Sequence, residues 1–444
     1  MATTYLNSPA GSGTDPQIAT FSMWFKISAA VESDEMYLFS GGDGASNNSW
    51  LRIQGTDREL YFRNRTSGSN DCIIKTSARY RDLNGWYHVV LKLNSTLGTA
   101  ADRATMYVNG QEVTSLASST NMTQNNLFHM FGATTTHIGK RVNDGSTGQI
   151  GNFLASHIHF CDGYAYDASY FGSTDTTTGE WKINTNPNVT YGSRGFFILK
   201  DGNSVTDASP NTNNFTVAAG TLTKTEDNPS NVFATMNALD NYFASATFTN
   251  GNNTVNFNNT NERYLLGTMG FNSGKWYWEV KYDAKSGDTH SKIGIESIMK
   301  AYPNGYEADS YGYRSSNGKK VNGGTFTTYG DSYTVGDIVG VAVDLDNNKI
   351  YFSKNGTWQD SGNPASGASG TGAAFTVGTP SSGFYFPAVG KEDADTCQFS
   401  FNFGNGYFGT TAVSSAGTNA SNNGIFEYDV PTGYTALSTK GLNL

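Results

Sequence analysis

The sequence predicts an all-β protein built as two antiparallel β-sandwiches in tandem. Three observations carry that expectation. Asx-Gly pairs recur between apolar runs, at Asp43-Gly44, Asn109-Gly110, Asp162-Gly163, Asp201-Gly202, Asn304-Gly305, Asn355-Gly356 and Asn405-Gly406. Each supplies the positive φ that a tight hairpin or bulge needs. The runs between them alternate apolar and polar, the period of a half-buried strand. The 444 residues include 25 Tyr, 27 Phe, 7 Trp and 51 Gly but only 10 Pro, and 15% are charged. That composition is aromatic enough to build cores and too poor in charge for disorder.

In chain order, the N-terminal Met1-Ala-Thr-Thr-Tyr-Leu lacks the basic and apolar regions of a signal peptide. From Gly85, the run Trp-Tyr-His-Val-Val-Leu-Lys-Leu sets Tyr87, Val89, Leu91 and Leu93 on one face, and the return strand from Ala104 turns at Asn109-Gly110. Residues 206–238, rich in Asn, Thr and Ser, read as a connector between a first domain at 1–205 and a second at 239–444. In the second, the run from Gly336 sets Val339, Val341, Val343 and Leu345 together, and Lys349–Lys354 follows, turning at Asn355-Gly356. Each sheet is expected to have one core face and one exposed face. The Ser361-Gly-Asn-Pro stretch reads as a flexible surface loop. Three well-separated cysteines, Cys72, Cys161 and Cys397, fit a chain made in a reducing compartment.

The formal charge of −9 and the absence of a basic cluster argue against nucleic acid as a partner. No apolar run approaches the ~18 residues of a membrane span, so membrane insertion is not expected.

Two groups of motifs carry a family resemblance. Gly85-Trp-Tyr-His-Val-Val, Met106-Tyr-Val-Asn-Gly-Gln-Glu-Val and His137-Ile-Gly-Lys resemble the laminin-G/concanavalin-A-like jelly roll. Gly274-Lys-Trp-Tyr-Trp-Glu-Val, Ile293-Gly-Ile, Ile350-Tyr-Phe-Ser-Lys-Asn-Gly and Tyr385-Phe-Pro-Ala-Val resemble a SPRY domain. The ordered combination is similar to bacteriophage virion structural proteins. It implies a virion protein, made in the host cytoplasm, that acts by binding and forms a homo-oligomer on other virion proteins. The leading expectation is a fibre- or tail-type adhesin contacting host surface glycans or proteins. A capsid or tail decoration protein is the alternative, and a glycan-degrading enzyme is third.

Catalysis is not expected. Retaining glycoside hydrolysis needs two carboxylates about 5 Å apart, and Glu32-Ser-Asp-Glu35 and Glu392-Asp-Ala-Asp395 read instead as solvated loop charges. His157-Ile-His159 would place two imidazoles on one strand face, with His137 near, but without the further ligands a zinc site needs. They read as exposed-face histidines. No cofactor is expected beyond a calcium ion that the laminin-G resemblance allows at the sandwich rim, with Asp43 and Asp144 on suitable loops. Ligand contact is expected at the loop aromatics Tyr302, Tyr306 and Trp358, because amphipathic rings suit binding surfaces. Tyr311 and Tyr313 read as structural, and Trp24, Trp86, Trp276 and Trp278 as core.

Overall fold

A computed structural model describes residues 4–9, 15–27, 35–55, 57–83, 85–132, 134–141, 149–176, 179–200, 202–240, 246–258, 263–287, 290–298, 305–392 and 395–442. The chain divides into two compact units, Met1–Lys224 and Thr225–Leu444.

In the first unit, an antiparallel sheet runs in the order Leu116–Thr120, Ser69–Thr76, Leu60–Thr66, Asn48–Ile53, Met36–Gly42, His137–Ile138, Tyr5–Asn7, Thr216–Ala219. A second sheet runs Phe196–Ile198, Phe153–Asp162, Ile18–Ile27, Tyr87–Asn94, Ala104–Val108, Gln111–Glu112. The β-branched and aromatic residues of one face of each strand meet between the sheets. Phe21 of one sheet packs on Phe39 of the other with ring centroids 4.6 Å apart, and Phe131 fills the gap against Phe160 at 4.7 Å. Val89, Leu91 and Leu93 point into this core, as their alternation requires.

The other face of the second sheet is not exposed. His88, Val90 and His159 are buried there under later chain, whose Ala168, Phe171, Trp181, Tyr191 and Phe197 pack across it. This corrects the expectation of exposed histidines. His157 has φ 47° and sits in a bulge where the register to the neighbouring strand shifts between Ser156 and His159, and its ring still lies beside that of His159, centroids 6.5 Å apart, with both against Phe197. The His159 ring stacks on Phe197 at 3.9 Å and its Nδ1 lies 3.0 Å from the Tyr191 hydroxyl.

The residues expected as a connector belong to the units themselves. Thr216–Ala219 is the edge strand beside Tyr5–Asn7, and Phe215 packs on Phe196 in the first core. Phe233, Ala234 and Met236 lie in the core of the second.

The second unit has one sheet in the order Ala246–Thr249, Thr254–Phe257, Cys397–Asn402, Lys275–Lys285, Ile338–Asp344, Lys349–Lys354, Thr357–Trp358. The other runs Arg263–Leu266, Phe386–Lys391, Ser291–Glu296, Ser310–Arg314, Lys319–Asn322, Thr325–Thr328. Trp276, Trp278, Val339, Val341 and Val343 line the core with Tyr311 and Tyr313, and Tyr313 stacks on Phe352 of the opposite sheet at 5.3 Å.

Here too one outer face is covered. Thr435–Ala436 pairs in parallel with Trp276–Tyr277, and Phe426 packs edge-on against Tyr277 at 5.0 Å. The stretch expected as a flexible loop is hydrogen-bonded: Pro364–Ser369 forms 3-10 turns capped by Asn363, and the Tyr434 hydroxyl donates to the Pro364 carbonyl at 3.1 Å. All three cysteines are buried free thiols. Among the described residues, no helix is long and apolar enough to cross a membrane.

Candidate functional site

The outer face of the larger sheet of the first unit gathers arginines and aromatic rings. Strands Asn48–Ile53 and Leu60–Thr66 alternate strictly. Leu51, Ile53, Leu60 and Phe62 enter the core, which sends Asn48, Trp50 and Arg52, and Tyr61, Arg63 and Arg65, to the other side. Register then sets them directly opposite one another: Trp50 faces Arg63, Arg52 faces Tyr61, and Asn48 faces Arg65. The Arg52 and Arg63 guanidinium carbons lie 4.4 and 4.5 Å from the Trp50 ring centroid, within cation–π range. Trp50 is only 4% exposed beneath them. Tyr37 and Tyr61 extend the stack, with Arg52 5.8 and 5.1 Å from their rings.

The two ends of this face differ in charge. Arg52 is paired with Glu35, and the Tyr37 hydroxyl donates to Glu35 at 2.8 Å. Burial, outweighing the pull of Arg52, pushes the Tyr37 phenol up to about 12, so it remains a neutral donor. At the other end, Arg63 donates to the Asn48 amide oxygen at 2.7 Å, and Arg65 to the Gly68 carbonyl through Nε and Nη2 at 2.8 and 2.6 Å. Among the described residues no carboxylate pairs with Arg63 or Arg65. Burial, and next the like charge of Arg65, pull the Arg63 guanidinium below its usual range. A pocket of about 90 Å³ opens here, lined by Gly44, Asn48, Trp50, Arg63, Arg65 and Arg141. That volume is well under the ~300 Å³ of small-molecule sites and matches a single side-chain head group.

Asp43 does not line this pocket but precedes Gly44, which does. Its Oδ2 accepts from the Asn47 side chain at 3.1 Å and its N–H donates to the Asn47 carbonyl at 2.9 Å, closing the turn that carries Gly44. Gly42 begins the turn at φ 119°, where a Cβ would meet the Asn47 carbonyl at 2.2 Å, so only glycine fits. Asp144 and Tyr302 lie outside the described residues. No group of three or more His, Cys, Asp or Glu side chains placed to hold a metal occurs among the described residues.

Tyr306 is 36% exposed in the second unit. Its ring covers the Lys292 ammonium at 4.2 Å and its hydroxyl donates to Glu392 at 3.2 Å. Glu392 is not a solvated loop charge: it pairs with Lys292 at 2.5 Å and Arg314 at 2.8 Å, and Phe326 lies 5.1 Å from the Arg314 guanidinium. Trp358 is half-buried against the core beside Tyr277, ring centroids 6.4 Å apart. Tyr306 covers the sheet containing Lys292, whereas Trp358 lies on the edge strand of the opposite sheet, so the two are not assembled into one site.

The second unit also buries Glu279. Its carboxylate accepts from the Glu427 and Tyr428 backbone N–H groups at 2.9 Å each, and from Tyr277 and Asn402 at 3.1 Å each. Burial raises this carboxyl to about 7 even though all four donors oppose the shift. In the first unit, burial and the neighbouring His157 lower His88 to about 3. The Trp181 indole donates to its Nδ1 at 3.0 Å, which requires a neutral ring.

Comparison with known proteins follows this division. Residues 275–406 match the family model described as SPRY domain, and residues 1–154 the model described as concanavalin A-like lectin/glucanases superfamily. The chain carries a concanavalin A-like domain followed by a SPRY domain. Ran-binding protein 9 of Danio rerio is 37% identical over 87 residues, which is 19% of this chain and 14% of that protein. Ran-binding protein 9 of Homo sapiens is also 37% identical over 87 residues, covering 19% of this chain and 12% of the relative. The Set1 complex component ash2 of Schizosaccharomyces pombe is 40% identical over 78 residues, covering 16% and 12%. The matched stretch is thus about one seventh of the first of these relatives. Among solved structures, the SPRY domain of human HERC1 covers 37% of this chain and 96% of its own at 17% identity, with a TM-score of 0.31. The heptameric SAP-like pentraxin from Limulus polyphemus covers 50% and 90% at 16% identity, with a TM-score of 0.29.

These findings correct the virion reading. The curated relatives are eukaryotic proteins of fish, human and fission yeast, so neither a phage adhesin nor a virion location stands. The tandem of folds does.

Proposed function

We propose that this chain is a binding protein that holds a protein partner on the arginine–aromatic face of its concanavalin A-like domain and catalyses no reaction. The observation that carries this reading is the row of partly exposed Tyr61, Arg52 and Arg63 side chains, stacked on the buried Trp50 and Tyr37 rings of one face. Trp, Tyr and Arg dominate the energetics of protein interfaces, and here sheet register and ring stacking hold them in place before any partner arrives, which lowers the entropy lost on binding. A SPRY domain whose relatives include proteins named for binding Ran supports a role in protein interaction. The buried polar groups support binding over chemistry, since Glu279, His88 and His159 are enclosed by their own protein partners.

The test is selection of binders from a displayed peptide library by the intact chain. Selected peptides are then measured against the wild type and an Arg63→Glu/Arg65→Glu variant whose fold is verified by near-UV circular dichroism. Affinity is expected to fall at least tenfold, while Lys182→Glu, a charge reversal elsewhere on the same domain, leaves it within twofold. Binders that tolerate the double reversal would remove this face from the function.

A further inference from the structure

We infer that the pocket at Arg63 and Arg65 receives the carboxylates of an acidic peptide segment in extended conformation, with Asp or Glu at alternate positions. The inference rests on the reading of this face as the binding surface and names what it binds.

The first argument is charge. Arg63 and Arg65 stand on one strand face with Arg141 on the pocket wall, in a protein whose formal charge is −9. Arg63 donates one side-chain hydrogen bond, to a neutral amide, and its buried Nε makes none. Arg65 spends Nε and Nη2 on a single carbonyl. Half-buried guanidinium groups held side by side repel one another, and an arriving anion removes that cost.

The second argument is an internal precedent. In the SPRY domain the same ingredients occur, two cations beneath two aromatic rings, and there Glu392 completes the set by bridging Lys292 and Arg314. The face on the first unit has the rings and the cations, but among the described residues no carboxylate pairs with Arg63 or Arg65. The missing element is the one a partner would bring.

Geometry then selects the ligand. Arg63 and Arg65 are two residues apart on a strand, so their side chains leave the sheet about 6.5 Å apart. Alternate side chains of an extended peptide have the same spacing, which sets carboxylates at positions i and i+2 over the two guanidinium groups. The planar forks suit carboxylates, which they bind through paired N–H donors. The pocket of about 90 Å³ admits a carboxylate head group and excludes a bulky side chain.

The experiment uses fluorescein-labelled Gly-Glu-Gly-Glu-Gly-Glu-Gly and its isostere Gly-Gln-Gly-Gln-Gly-Gln-Gly, titrated with the full chain and followed by fluorescence polarisation. The acidic peptide is expected to bind at least tenfold more tightly than the isostere and to weaken as salt rises. Arg63→Lys/Arg65→Lys should retain only part of that preference, because lysine keeps the charge but loses the fork. Equal binding of the two peptides would overturn the carboxylate assignment. So would a phosphoserine peptide of the same spacing that binds tenfold more tightly than the glutamate peptide. In either case, library binders that still depend on Arg63 and Arg65 would leave the binding function standing. Loss of that dependence as well would bring both down.

Discussion

The two sandwiches each build an outer-face cluster of aromatic rings over cations, and they differ in one component. Under Tyr306 and Phe326, Lys292 and Arg314 share Glu392, and the Lys292 side chain has no solvent exposure. Around Trp50, Arg63 and Arg65 have no such carboxylate among the described residues and remain half-buried beside a pocket. A complete cluster buries its ion, and removing its acid would leave an uncompensated charge inside the domain. An incomplete one stays near solvent, gains little for the fold, and is ready for a ligand. The difference teaches that the acid, rather than the ring or the cation, decides whether such a cluster serves structure or recognition.

The contrast is broken most forcefully at Glu392. Glu392→Gln removes the carboxylate from a fully buried ammonium and is expected to cost about 3 kcal/mol. Guanidinium denaturation followed by amide exchange in Lys275–Lys285 and in Ile18–Ile27 would show the loss in the second unit alone. An unchanged second unit would mean that the pair contributes nothing net.

The covered outer faces give a second contrast, of opposite sign in pH. His88, lowered from 6.5 to about 3, stays neutral in the folded protein while the unfolded chain takes up a proton. Its contribution is complete above pH 6.5 and is lost as the pH falls towards 3. Glu279, raised from 4.5 to about 7, keeps its proton longer when folded. Its contribution is present below pH 4.5 and is lost as the pH rises through 7. Moving from pH 8 to pH 5 should therefore shift the two units in opposite directions, by about 2 kcal/mol each. The readout is amide-exchange protection of strand Ile18–Ile27 against strand Lys275–Lys285. Parallel shifts of both strands would refute the assignment.

The smallest effect sharpens the first comparison. Arg63→Gln loses stacking on Trp50 but relieves repulsion from Arg65, so stability should change by less than about 0.5 kcal/mol. A loss as large as that expected for Glu392→Gln would show that Arg63 belongs to the fold rather than to a binding surface.

Much of the fold was legible, because alternation writes the core face of a strand directly. Val89, Leu91, Val339 and Val341 are buried where the pattern puts them, and the Asn109-Gly110 and Asn355-Gly356 turns have the positive φ their residues favour. What alternation does not carry is whether the other face stays open. His88 and Tyr277 occupy the polar phase of their strands, and they are buried because chain far along the sequence, around Trp181 and Phe426, lies over them. The reading of His157 and His159 failed for the same reason: their rings do lie together, 6.5 Å apart, but against Phe197 rather than in solvent. The arginine–aromatic face was written in Asn48-Ser-Trp-Leu-Arg-Ile and Leu60-Tyr-Phe-Arg-Asn-Arg, where Trp, Tyr and Arg alternate with core residues. The signal was there in each strand. Only their register, which sets Trp50 against Arg63, makes it a surface.

The covering of Glu279 has a consequence for synthesis. Its carboxylate is bound by a backbone amide 148 residues later in the chain, and ribosomes add about 5–20 residues per second. For roughly 7 to 30 seconds after it is made, the central strand of the second sandwich therefore has one side without its final neighbours. Tyr277 and Glu279 are accessible during that interval to chaperones, or to another nascent copy. The corresponding delay for His88 and Trp181 spans 93 residues, so the first sandwich is sealed sooner.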